Sequence, residues 1–501
     1  MGNMAFLPIA PEVVLLAGVV LVIMSAVVAG HHRNVWGTVA GAALVGAIAM
    51  AVLQWRELAM TDSAGELYFS LPGLEIVQGP TVVMDPFSAF AGIVIFAVGL
   101  FGLIGAWSLV AKLGARGAEF VTLVLLAVAG LHMMTASSNL VLLFLGLETA
   151  SISFYVLAGF TRERINSDEA AVKYFLLGSL ASAVFIYGVA LAFAATGSLS
   201  IYGVDGLRSF FGDTIVTAPG TLLVGIGLMI VGLAFKVSAA PFHQWAPDVY
   251  QGAPGGVVGL MAAGVKVAGF AALARILVAG FPSQIDTWAP ALAIIAGLSM
   301  IIGTFLAAVQ DDVKRLLAYS GVAHAGYIMT ALVAGAAGIP GMWFYVATYA
   351  FMLLGAFTIA ATVSGVRRGS SSLNAFAGLG RRAPELAWAM LVLLVGLGGI
   401  PFTAGFIGKV SVFTAAADAG YLWLVVLGLL TTVVGLYFYL RVVTAMFMRQ
   451  PVAAEAPGTA TAEPAPTTTA RIVIAVAVVV TVVFGLIPWP LLDIVRDALP
   501  L

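Results

Sequence analysis

The chain has 501 residues, 62% of them hydrophobic and 9% charged, with a formal net charge of -1 and a mean hydropathy of +1.10. A soluble domain cannot bury that much apolar side chain, and repeated apolar runs of bilayer length place the chain among polytopic helical membrane proteins. With no cysteine, disulfides and Cys-ligated clusters are excluded; five scattered histidines give no metal centre, and no phosphate-binding loop or basic patch supports nucleotide or nucleic-acid binding.

The N-terminus, MGNMAFLPIAPE, lacks a basic leader, so the first apolar run reads as a retained helix. Fourteen spans follow in order, near 10–30, 35–53, 87–110, 119–136, 138–160, 171–195, 218–240, 253–279, 286–308, 317–335, 343–364, 386–413, 421–447 and 470–491. HHRN (31–34), TRERINSDE (161–169) and RRGSSS (367–372) mark breaks between them. Loops after the odd spans hold Arg33, Lys112, Arg116, Arg162, Arg164, Lys314, Arg315, Arg367, Arg368, Arg381, Arg382, Arg449 and Arg471; the alternate loops and tail hold Arg56, Arg208 and Arg496. That bias places both termini on the non-cytoplasmic side. Between spans two and three lies an acidic outer segment, and 451–470 is a cytoplasmic Pro/Ala/Thr linker.

Six basic residues remain inside or beside the spans: Lys173, Lys236, Lys266, Arg275, Lys409 and Arg441. Arg275 and Arg441 lie toward span ends, where snorkelling accounts for them. Lys173 stands four residues after Glu169, so an i,i+4 ion pair, snorkelling and function all fit it. Glu148, Lys236 and Lys266 fall near mid-membrane at 1.5 Å per residue. A lipid-facing charge there costs at least roughly 2.5–3.5 kcal/mol, so each must face the bundle interior, a partner or water. A structural ion pair is the plainer use. Lys236 opposed by Glu148 is also a site whose proton affinity would change as the pair separates, which a pump or antiporter requires.

Pro241 cannot donate to the Val237 carbonyl, so it opens a helical turn beside Lys236. GLGGIPFTAGFIGKVSVF (396–413) repeats the combination of glycines, a Pro-Phe pair and one lysine, Lys409, with the order reversed relative to GLAFKVSAAPF (232–242). These are the seventh and twelfth spans, which cross in opposite directions. The sequence therefore predicts an all-α membrane protein of about fourteen transmembrane helices, with two inverted five-helix repeats and broken helices 7 and 12. His324, in SGVAHAGY, suits either a proton relay or a helix–helix hydrogen bond. For His243, proton uptake and simple capping both fit. Asp311 and Asp312, beside Lys314 and Arg315, read as helix capping and orientation.

In order along the chain, LLFLGLETASISFYVLAGF (142–160), EAAVKYFLLGSLASAVFIYGVALAFAATGS (169–198), FKVSAAPFHQWAPDVYQGAP (235–254), QDDVKRLLAYSGVAHAGY (310–327) and GLGGIPFTAGFIGKVSVFTAAADAG (396–420) resemble the antiporter-like membrane subunits of bacterial proton-pumping NADH:quinone oxidoreductase, respiratory complex I. PDVYQGAP points to the N-type branch. The resemblance implies a bacterial cell-membrane, membrane-arm subunit with repeats over spans four to eight and nine to thirteen. Glu148 and Lys236 match the family's charged pair, Lys266 its central lysine and Lys409 the lysine of the other half-channel; Lys173 and His324 match polar-axis positions.

It also implies no cofactor and no metal in this chain, with FMN, iron–sulfur clusters and quinone held elsewhere in the complex. Expected partners are other antiporter-like and small membrane-arm subunits, membrane lipids and protons, with no nucleic acid. The resulting organisation is an N-terminal three-helix segment (1–118), a first repeat (119–279), a second (286–448), the linker (449–470) and a C-terminal helix with its tail (471–501). The sequence departs from the family before Lys266, where GGVVGLMAAGVKV has glycines in place of a more usual Thr-Pro, and at Phe402, where a second proline is common. A subunit of a multisubunit sodium/proton antiporter is the alternative; a scaffold whose buried charges only tie helices together is a third reading.

Overall fold

A computed structural model describes residues 6–28, 32–60, 67–69, 81–161, 165–203, 206–208, 218–366, 370–450 and 464–500. Among them run eighteen α-helices: α1 Ala10–Val28, α2 Arg33–Met60, α3 Pro86–Val110, α4 Arg116–Ala136, α5 Leu140–Ala158, α6 Ile165–Thr196, α7 Pro219–Lys236, α8 Trp245–Gly252, α9 Gly255–Ala274, α10 Ile285–Ala308, α11 Val313–Leu332, α12 Ile339–Val366, α13 Leu379–Arg382, α14 Pro384–Gly398, α15 Ala404–Asp418, α16 Leu422–Met448, α17 Thr468–Leu486 and α18 Trp489–Asp497. Two short strands, β1 Leu67–Phe69 and β2 Val82–Met84, pair antiparallel ahead of α3. Most of the acidic outer segment, Arg162, Arg164, Arg367, Arg368 and linker residues 451–463 lie outside the described residues.

Twelve of the described helices are long and apolar enough to cross a bilayer. Adding α11, whose polar stretch lowers its hydropathy, and the α14–α15 pair gives about fourteen crossings. Several helices outrun the apolar segments that announce them: α2 continues through QWRELAM to Met60, and α6 begins at Ile165 rather than near 171. Hydropathy marks the part of a helix at membrane depth, not where its backbone hydrogen bonds stop.

The two repeats pack alike. In the first, α4 lies against α5 and α9; in the second, α10 lies against α11 and α16. The seventh span breaks into α7 and α8, and the twelfth into α14 and α15. At the centre is α9, whose most apolar stretch is wholly buried, clasped by α3, α4 and α12. It carries Lys266.

Candidate proton-transfer axis

A helix broken inside a membrane frees carbonyls that lipid cannot satisfy. At the first break the helix ends at Lys236, with Ser238 in a left-handed conformation (φ 60°). The Ala239 amide takes the Ala234 carbonyl at 2.8 Å, and the Trp245 indole donates to the Phe235 carbonyl at 3.0 Å. The Val237 carbonyl receives the Lys266 ammonium at 2.5 Å, which also donates to the Gly321 carbonyl on α11 at 2.9 Å. The break thus falls earlier than Pro241 alone announces.

The second break opens at Gly399 (φ 75°), whose amide closes onto the Gly396 carbonyl. Gly405 is held to glycine by space, since a Cβ there would sit 1.9 Å from the Gly396 oxygen. Lys409, six residues into α15, donates back to the Gly398 carbonyl at 3.0 Å and to the Thr432 hydroxyl at 3.2 Å. Both lysines therefore rest at the negative end of a half-helix, where aligned peptide dipoles favour a cation.

Lys236 itself donates to the Ser151 hydroxyl at 2.6 Å and to Tyr155 at 3.5 Å. It makes no direct ion pair with Glu148, which accepts instead from Ser182. This corrects the expectation of an opposed pair: Ser151 stands one helical turn beyond Glu148 on α5, on the same face, and meets the ammonium first. Lys236, Lys266, Lys409 and His324 are 4%, 1%, 6% and 2% exposed.

His324 is held between two tyrosines of the second half by geometry the sequence left open. Its Nδ1 lies 2.9 Å from the Tyr345 hydroxyl and its Nε2 3.1 Å from the Tyr439 hydroxyl; Tyr439 also bonds Ser320, the neighbour of Gly321. A small cavity lined by Ser320, His324, Tyr327, Lys409, Thr432 and Tyr439 admits a water-sized centre over about 10 Å³, room for about one molecule. The Lys409 ammonium sits 4.7 Å from the Tyr327 ring centre. A run of hydroxyls, imidazole and ammonium groups can pass a proton by successive hydrogen-bond exchange.

The remaining expected residues fall elsewhere. Lys173 makes the i,i+4 pair with Glu169 at 2.7 Å and a second with Asp248 at 2.8 Å. Asp248, on α8, also takes Arg315 at 2.6 Å. Burial raises its carboxyl, but hydrogen bonds and charge from Lys173 and Arg315 outweigh that and hold it below the usual carboxylate range. Lys173 thus belongs to an inter-repeat ion cluster rather than to the buried line. His243 lies in the first break with its ring edge-on to Tyr319 at 6.1 Å. Asp312 caps α11 through the Arg315 amide at 3.0 Å, as its position announced.

Arg275 corrects the snorkelling expectation. It is fully buried, forks onto both Asp85 oxygens at 2.8 Å each, and donates to the Thr135 carbonyl at 2.7 Å and the Tyr202 hydroxyl at 2.6 Å. Such bidentate pairing satisfies a guanidinium that cannot reach water. Arg441 is partly exposed but also tied down, to Asp311 at 2.8 Å. Sequence reasoning missed Asp85 and a further buried contact, Glu12 with His132 at 2.6 Å. The same cost argument applied to Lys236 would have found the latter two.

Residues 137–435 match the family model described as NADH:quinone oxidoreductase/Mrp antiporter, transmembrane. An NADH-quinone oxidoreductase subunit N of Trichlorobacter lovleyi is 37% identical over 444 residues, covering 88% of this chain and 87% of that one. A subunit N 1 of Solibacter usitatus is 38% identical over 450 residues, with 88% and 87% covered. Among solved structures, a chain of respiratory complex I from Thermus thermophilus with bound Aureothin superposes with a TM-score of 0.76 at 33% identity, over 96% of this chain and 98% of that one. A chain of the Mrp complex from Dietzia has a TM-score of 0.84 at 23% identity, covering 99% and 97%, a likeness of fold alone. Motif order, inverted repeats and long-range identity to the N subunits agree: the chain belongs to the NADH:quinone oxidoreductase/Mrp antiporter transmembrane family.

Proposed function

We propose that the chain is a proton-translocating N-type subunit in the membrane arm of a bacterial NADH:quinone oxidoreductase. Electron transfer from NADH to quinone, through FMN and iron–sulfur clusters in partner subunits, drives it; this chain does no redox chemistry. Glu148 tunes Lys236 through the Ser151 turn. Lys266 and His324 pass the proton laterally, and Lys409 exchanges it with the far half-channel. Lys173 and His243 act at the cytoplasmic approach, Lys173 by holding α8 through Asp248. The chain lies in the cell membrane with both termini outside, among other antiporter-like and small subunits and lipid. Its working units are residues 1–118, 119–279, 286–448 and 471–501, joined before the last by 449–470.

One observation carries this reading: buried lysines occupy both helix breaks, and Lys266 bonds a carbonyl of the first break while touching the helix that bears His324. Charges placed so deep mark ion paths. The antiporter alternative shares the family model and the fold, but the curated relatives at 37% and 38% identity are N subunits. Isolation in mild detergent, subunit identification and an NADH:quinone assay test the assignment. The chain should co-purify with flavin and iron–sulfur subunits; a stable assembly of antiporter subunits alone would overturn it.

A further inference from the structure

Two buried acid–base contacts lie off the lysine line, and they differ in kind. Asp85 and Arg275 are bonded at every polar atom: both carboxylate oxygens and all three guanidinium nitrogens have a partner. This is a staple. Glu12, in the first turn of α1, meets His132, in the last turns of α4, through one atom each, Oε1 and Nδ1. Glu12 is 5% exposed and His132 1%. The second atoms, Glu12 Oε2 and His132 Nε2, are buried without a hydrogen-bond partner among the described residues.

The walls around that free nitrogen are apolar. Gly92 on α3 faces it, since a Cβ there would lie 2.8 Å from Nε2, and the Phe96 ring centre is 4.7 Å from the imidazole. The α3 sequence holds no charged residue. On the other elements packed against α1 and α4, the charged groups are Arg33, Arg56 and Glu57 of α2, Glu148 of α5 and Lys266 of α9; α4 itself adds Arg116 and Glu119 at its opposite end. Arg275, just past α9, comes nearest along the backbone through the Thr135 carbonyl, but Asp85 neutralises it. Gln54 donates to the Leu7 and Pro8 carbonyls, not to the carboxylate.

We propose that Glu12 and His132 form a proton-binding site of their own, apart from the lysine line, at the end of the bundle that holds Asp85 and Arg275. Ionised Glu12 with neutral His132 carries a net charge of −1; one proton, on the ring or the carboxyl, brings the dyad to zero. The unpartnered oxygen and nitrogen are where it binds. Both side chains lie within about one turn of their helix ends, about 5.4 Å along the axis.

Infrared difference spectra of the purified complex between about pH 5 and about pH 8, the range in which an imidazole changes charge, test this without reference to pumping. The wild type should show carboxyl or imidazole bands corresponding to one proton, lost in both Glu12→Gln and His132→Asn. Spectra of the two variants identical to wild type would overturn the proposal. Where Glu12→Gln fails to assemble, Glu12→Asp (E12D) keeps the acid and should shift the titrating bands; bands unchanged by E12D would also overturn it. Because the readout is equilibrium protonation, a failed lysine relay would leave it intact.

Discussion

The two helix breaks solve one problem with opposite chain order. In the first half the lysine ends the leading half-helix and turns to the side chains of Ser151 and Tyr155, with Glu148 one turn away. In the second the lysine rides on the trailing half-helix and reaches back to the Gly398 carbonyl and Thr432, with tyrosines and His324 around it and no carboxylate bonded to it. An inverted repeat conserves the electrostatic position, a cation against freed carbonyls, while leaving each half a different neighbour to alter its proton affinity. In the proposed relay an acid biases the first half and an imidazole–phenol network the second. Lys266 touches both, through Val237 and Gly321.

That contrast can be broken at several points. The largest effect belongs to the lysines: Lys236→Met and Lys409→Met each remove a hydrogen-bonded charge, and coupling of about 1–3 kcal/mol corresponds to roughly 5–150-fold. Both should depress proton pumping by that order in assembled enzyme, read with a pH-sensitive dye in sealed vesicles. Glu148→Gln should act next, because it alters the first half alone; pumping should fall less than for Lys236→Met, and a double variant with Lys236→Met should add little. Tyr439→Phe strips a partner from both His324 and Ser320, an expected cost of about 1–3 kcal/mol for polar groups left unmet. It should lower pumping while leaving the Glu148→Gln effect unchanged, which separates the halves.

Asp248→Asn should have the smallest effect, since the cluster is partly exposed and screened. The folded carboxyl is held below its ordinary value, so its contribution is present above about pH 4, the unfolded range, and fades as pH falls through the folded value. Thermal unfolding of wild type and Asp248→Asn should therefore differ at neutral pH and converge in acid.

Much of this is legible in the sequence. Lys236, Lys266 and Lys409 stood out because a charge in an apolar run is costly wherever it points, and Pro241 and the Gly399–Pro401 stretch flagged the breaks. What sequence could not supply was facing. In a helix apolar all round, no stripe distinguishes lipid from interior, so Arg275 near a span end read as snorkelling when it turns inward to Asp85. Asp85, which the sequence reading passed over, precedes a helix-starting proline and caps α3 through the Ser88 amide. Its second use depends on a partner 190 positions away. That the Lys236 ammonium meets Ser151 in place of the Glu148 carboxylate is a matter of a few ångströms that spacing does not resolve.

Lys266 tests the whole account most directly, because it is the buried lysine that bonds a carbonyl in each half. Lys266→Met, assembled and oxidising NADH, should show little or no uncoupler-sensitive acidification in sealed vesicles. Protons pumped per NADH equal to wild type in that assembled variant would contradict the axis.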